Sequence, residues 1–143
     1  MEQLVKELHR PARRNFQRRH VVITGLNDLF QADLVDMQKY SRENKGHSYI
    51  LTVINAFSKC AWAVAIKSKS AADVAIAFET ILKKHTAPKN LQTDDGNEFM
   101  NKIFSSLMKK YKINHYSTYS VLILKASIVD QFNGTLKKNV VNV

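Results

Sequence analysis

The chain has one cysteine, two prolines and four glycines in 143 residues. No apolar run approaches the roughly 18 residues that a membrane span needs. A single cysteine, Cys60, excludes an internal disulfide framework and fits a reducing compartment. Its setting, SKCAWAVAI, is an apolar strand pattern, so Cys60 is expected to be a buried thiol. His9, His20, His47, His85 and His115 are scattered, and with one cysteine they build no Cys/His zinc spacing. The first residues, MEQLVKELHRPARR, lack the apolar stretch of a secretory signal. A membrane or secreted protein is therefore not expected.

Acidic residues are also scarce, 12 against 22 lysines and arginines, for a net charge of +10. Such an excess favours polyanions, with nucleic acid the usual partner. Charge alone leaves DNA, RNA and an anionic membrane surface open. Residues 1–20 concentrate it: Lys6, Arg10, Arg13, Arg14, Arg18 and Arg19 face only Glu2 and Glu7, which leaves +4. This segment reads as a basic arm preceding a core domain over 21–143, and either a phosphate-contacting linker or a solvated tail fits it.

Gly25–Asp28 supplies a turn, and FQADLVDM (30–37) reads as a strand. A hairpin tip expected at Asn44–Gly46 leads into the strands SYILTVINAF (48–57) and CAWAVAIK (60–67). Ser70 with Asp73 three residues on has the form of a capping box. It opens a helix with Val74, Phe78, Ile81 and Leu82 on one face, stopped by Pro88. NLQTD reads as a short strand. A helix near 101–111 follows, with Ile103, Leu107 and Tyr111 inward, and then the strand HYST (115–118). A last helix over 126–139 carries Val129, Phe132 and Leu136 on its apolar stripe. The order βββαβαβα predicts an α/β domain, a mixed five-stranded sheet flanked by helices, with the first and fourth strands side by side.

That topology would bring together three acids: Asp33 on the first strand, Asp94 after the fourth, and Asp130 on the last helix, with thirty-five residues between Asp94 and Asp130. Converging carboxylates suit a pair of hard divalent cations and phosphoryl chemistry on nucleic acid. Each has a plainer reading: a strand-end acid bonded to local amides for Asp33, a turn-forming Asx residue for Asp94, a solvated helix face for Asp130. Trp62 in an apolar strand is expected in the core. Tyr116 and Tyr119 could stack on a base.

The words SYILTVINAFSK, LQTDDGNEF and KASIVDQFNGTLK strongly resemble the catalytic core of retroviral and retrotransposon integrases, in the DDE transposase group with its ribonuclease-H-like fold. ELHRPAR and FQADLVDM are also similar to integrase-derived open reading frames of animal genomes. The resemblance implies a polynucleotidyl transferase acting on DNA with two Mg²⁺ or Mn²⁺ ions, and Asp33, Asp94 and Asp130 as catalytic metal ligands. It implies DNA contacts for Asn133, Lys137 and Lys125, and the basic arm suggests the same for Arg13, Arg14, Arg18 and Arg19. Homodimers or larger multimers and a nuclear, otherwise cytoplasmic, location follow from it too.

The chain departs from the pattern around its third acid. Asp130 stands for a glutamate, about 1.5 Å shorter in reach, although mariner-type relatives use three aspartates. Gln131 and Gly134 replace arginines of words such as ERFNRTLK, and Asn55 replaces the acid of VIDxFS. Val121–Leu124 puts an apolar run where a polar loop is usual. The expectation is a transposon-derived core of reduced or lost activity. The alternatives are an inactive nucleic-acid-binding remnant, a nuclease of the same fold, or an interaction scaffold.

Overall fold

The structure is a computed structural model and describes residues 22–117 and 127–141. The basic arm, Lys125, Tyr119 and the apolar run 121–124 lie outside the described residues.

Five strands form one sheet: β1 (Leu29–Asp36), β2 (Tyr49–Asn55), β3 (Ala61–Ile66), β4 (Asn90–Thr93) and β5 (Asn114–Ser117), in the spatial order β3-β2-β1-β4-β5. β1, β2 and β3 are an antiparallel meander, whereas β4 lies parallel to β1 and β5 parallel to β4. Three helices flank the sheet: α1 (Ala71–Lys84), α2 (Lys102–Lys110) and α3 (Ser127–Val141). The expected element order and the β1–β4 adjacency are both present.

Strand alternation divides the sheet into two unlike faces. Phe30, Ala32, Leu51, Val53, Ile66 and Leu91 point to one side. There they join Val74, Phe78, Ile81 and Leu82 of α1 and Phe104, Leu107 and Met108 of α2 in the main core. Gln31 and Asp33 of β1, Thr52 of β2 and Gln92 of β4 alternate to the other side, over which α3 packs across β1 and β2. One face is oily and the other mixed, with Val35, Ile50 and Ile54 beside the polar residues, and the site lies on the mixed one.

Local chemistry explains the helix starts. Ser70 caps α1 by accepting from Asp73 N at 3.2 Å. The Asp73 carboxylate does not return to the Ser70 backbone; it accepts from Ser68 Oγ at 2.6 Å, and Ser68 Oγ accepts from Ser70 N at 3.2 Å. The capping box is thus a relay through Ser68. Asn101 caps α2 by accepting from Phe104 N at 2.8 Å.

Three sequence expectations are corrected. Cys60 is exposed, because Lys59 turns the chain with φ of 61° and β3 begins only at Ala61. Ile103 is 54% exposed, and Phe104 takes the inward place in an aromatic group with Phe78 and Phe99. Trp62 is only partly buried, its ring 5.2 Å from Phe30 and 4.8 Å from His85.

Candidate nucleic-acid site

The parallel pairing of β1 with β4 brings Asp33 and Asp94 to neighbouring strands. Asp33 lies within β1, opposite Thr52 of β2, whose hydroxyl donates to the Asp33 carbonyl at 3.2 Å. The Asp33 carboxylate is engaged at both oxygens. Leu34 N donates to Oδ1 at 2.8 Å, and Asn133 Nδ2 of α3 donates to Oδ2 at 2.6 Å.

Asp94 follows β4 directly, and its Oδ1 accepts from Gly96 N at 3.3 Å, the geometry of a short Asx turn. Glu98 folds back over Gly96: a Cβ there would meet the Glu98 carboxylate at 2.7–2.9 Å. Partial burial pushes the Asp94 carboxyl above its ordinary pKa although the residue as a whole is exposed, and the negative charges of Asp33, Glu98 and Asp95 raise it further. The Gly96 hydrogen bond opposes this without cancelling it. The region concentrates negative charge on a protein that is otherwise strongly basic.

Behind Asp94, Thr93 Oγ1 donates to the Asp94 carbonyl at 2.8 Å and lies 2.9 Å from His115 Nε2. With its one hydrogen committed to that carbonyl, Thr93 receives the His115 contact from Nε2–H, which fixes the tautomer of the neutral ring. Burial lowers the pKa of His115. The folded state therefore resists protonation, whereas the unfolded chain takes up a proton near the usual value of about 6.5. Stability is fully present above that value, falls as pH drops through it, and stops falling below the lowered folded value. We expect the urea midpoint to decrease between about pH 7 and pH 5, and His115→Gln, which keeps an N–H for Thr93, to flatten that slope.

Asp130 occupies the first turn of α3, exposed, one residue beyond the fully buried Val129. Asn133 is 7% exposed and faces the sheet, while Lys137 is exposed and borders a recess with Asp36, Gln38, Lys39 and Tyr40. The helix therefore does not offer Asp130, Asn133 and Lys137 as one outward surface. Asn133 turns inward to Asp33, and its Oδ1 is buried without a partner among the described residues, a cost on the order of 1–3 kcal/mol. Asn55 is buried and serves the β2–β3 turn: its Oδ1 accepts from Phe57 N at 3.0 Å and Ser58 N at 3.3 Å, and its Nδ2 donates to the Leu26 carbonyl.

Sequence reading missed Gln31 and Gln92. Both are 2% exposed, each lies two residues before an acid of the site, and Gln31 Nε2 donates to Gln92 Oε1 at 2.9 Å. Val129 N donates to Gln31 Oε1 at 3.2 Å, so Gln31 also ties down the start of α3. Their signal was present in the alternation of FQADLVD and NLQT, which points each glutamine to the same face as the acid that follows it.

Asp33 and Asp94 are hard oxygen donors, one within β1 and one just after β4, close enough for the charge of Asp33 to raise the Asp94 carboxyl, and their chemistry suits a divalent cation. The three-acid set does not fit as arranged. Among the described residues, no three His, Cys, Asp or Glu side chains gather into a metal-holding group.

Residues 24–119 match the family of the integrase core domain. A putative uncharacterized transposon-derived protein of Caenorhabditis elegans is 32% identical over 102 residues, 71% of this chain and 35% of that protein. The retrovirus-related Pol polyprotein from transposon 412 of Drosophila melanogaster is 31% identical over 98 residues, 68% of this chain and 8% of the polyprotein. The chain thus spans about a third or less of the curated relatives it matches. Among solved structures, the trimeric form of the HTLV-2 integrase catalytic core domain in complex with magnesium superimposes with a TM-score of 0.62. It is 19% identical, and the match covers 78% of this chain and 68% of that one. The mixed sheet and its flanking helices are the ribonuclease-H-like fold of the retroviral integrase core.

Proposed function

Since the chain belongs to the integrase core domain family, we propose that it is a transposon-derived core that binds DNA and retains one divalent-cation position at Asp33 and Asp94, with strand transfer and cleavage reduced or lost. The observation that carries this reading is the split among the acids. Asp33 within β1 and Asp94 just after β4 are electrostatic neighbours, while Asp130 stands exposed on α3 and the three do not gather.

The two aspartates would hold Mg²⁺ or Mn²⁺, and such a cation supplies charge neutralisation and polarisation at a phosphoryl oxygen. The chain's own groups do the rest. Asn133 orients the Asp33 carboxylate through its amide N–H, and Gly96 N holds Asp94. Lys137, exposed on the same helix, would meet a backbone phosphate. Net charge of +10 and the Arg13, Arg14, Arg18 and Arg19 cluster support salt-sensitive attachment to the duplex, with Lys125 as a further contact. Nuclear residence and assembly as a dimer or multimer belong to the same proposal. Among the described residues, no helix is long and apolar enough to cross a membrane.

The test uses the full chain. Fluorescence anisotropy with duplex DNA should show affinity falling steeply with salt, and Lys137→Ala should weaken binding and reduce the log–log salt slope by about one unit. Nicking and strand-transfer assays in Mg²⁺ and Mn²⁺ should give product at or near the level of Asp33→Asn. Robust metal-dependent turnover that disappears in Asp33→Asn refutes the loss of catalysis and restores the full transferase reading. Absence of salt-dependent DNA binding refutes the DNA partner.

A further inference from the structure

Helix α3 runs beside β1 in a shared register. Val129 N meets Gln31, Asn133 Nδ2 meets Asp33, and Lys137 borders the recess at Asp36. Four helical residues rise about 6 Å, and two strand residues advance about 6.6 Å. From Val129 and Gln31 to Asn133 and Asp33 one helical turn therefore keeps step with one strand repeat, and Lys137 lies near Asp36 further along, so α3 and β1 point the same way.

Apolar packing alone does not select this register. Burial of oily surface is non-directional, and among the described side chains of α3 Val129 is the fully buried apolar one, with Ile128, Phe132 and Leu136 partly exposed. Sliding α3 by one residue would shift it about 1.5 Å and rotate its facing side chain by about 100°, which takes Asn133 off Asp33. A directional contact is needed, and the buried glutamines provide it. Gln31 spends its N–H on Gln92 and its oxygen on Val129 N, so its amide is held from one side and holds the helix on the other.

We propose that Gln31 and Gln92 are positioning residues that set the register of α3 on β1 and thereby deliver the Asn133 amide to the Asp33 carboxylate. They touch neither DNA nor a cation; they act through Asn133. The cation arm of the test rests on the function proposed above, whereas the register itself does not.

The experiment compares the wild type with the near-isosteric double variant Gln31→Met/Gln92→Met, which removes both members of the polar pair together. NMR of the Asn133 side-chain amide reads the Asn133–Asp33 bond without DNA or metal, and Mn²⁺ titration reads the consequence. In the wild type, the Asn133 amide protons should be shifted downfield and protected from exchange. In the double variant, folded by the dispersion of its other signals, those protons should move to free-amide positions, exchange at least 10-fold faster, and Mn²⁺ affinity should fall about 10-fold. A folded double variant with the Asn133 signals and protection unchanged overturns the proposal. If the double variant loses its fold, Gln92→Met alone is read by the same signals: faster Asn133 exchange supports the lock and unchanged exchange overturns it. A wild type that binds no Mn²⁺ sinks the cation reading, while the amide signals still decide the register.

Discussion

Phe104→Ala is expected to destabilise the domain by about 3–5 kcal/mol, the usual cost of removing a buried phenylalanine side chain. Phe104 is fully buried in the main core, with ring centroids 5.5 Å from Phe78, 5.4 Å from Phe99 and 5.3 Å from His115. It joins α1, the turn after Asp94 and β5, so no single neighbour can swing in to refill the space. A small domain has about 5–15 kcal/mol of stability in total, and this one change consumes a large part of it. Urea unfolding followed by circular dichroism should show the midpoint falling with little change in slope. A loss below about 1 kcal/mol would mean that α2 carries little of the core. The substitution also reaches the site, because His115 rests on Phe104 and supports the Asp94 carbonyl through Thr93.

Phe104 also shows where sequence reading of α2 stops. Ile103, Leu107 and Tyr111 recur every four residues, while Phe104, Leu107 and Met108 follow a spacing of three and one; both stripes fit a helix of 3.6 residues per turn. The choice is made by aromatic partners far away in sequence, Phe78 among them, which no local pattern contains. Cys60 failed for a related reason. The apolar pattern of SKCAWAVAI reads as strand through Cys60, but a left-handed residue at Lys59 starts β3 later and leaves the thiol outside. The sheet itself was legible, because period-two alternation in FQADLVD and β-branched runs in YILTVIN dictate strands wherever they occur.

The site was legible in part. Asp33 within β1 and Asp94 just after β4 are placed by topology, and the βββαβαβα order puts β1 beside β4. Asp130 depends instead on the rotation of one helix, a finer quantity. The stripe Val129, Phe132, Leu136 centres α3 roughly where it lies, but Asn133 comes inward because the strand position opposite it carries the Asp33 carboxylate. A helix laid on Gln31, Asp33 and Thr52 has to answer with a polar group. The strand faces select Asn133 as a residue of α3 that meets Asp33.

Asp94→Asn is expected to have two effects of opposite sign, and together they separate a ligand from a structural acid. The substitution keeps an Oδ1 acceptor for Gly96 N while removing a charge that partial burial disfavours and that Asp33, Glu98 and Asp95 repel. In EDTA the variant should melt at a slightly higher temperature than the wild type. With Mn²⁺ the order should reverse. A cation at about 100 times its dissociation constant stabilises a two-state domain by about 2.7 kcal/mol, and the variant should forgo nearly all of it. Thermal unfolding of both proteins, with and without Mn²⁺, measures the four quantities. A variant that melts lower in EDTA makes Asp94 a structural turn residue, because its charge then helps the fold. A variant that keeps the Mn²⁺ shift places the cation elsewhere. Only a gain without metal joined to a loss with it fits a carboxylate held, at a cost to the fold, for a bound cation.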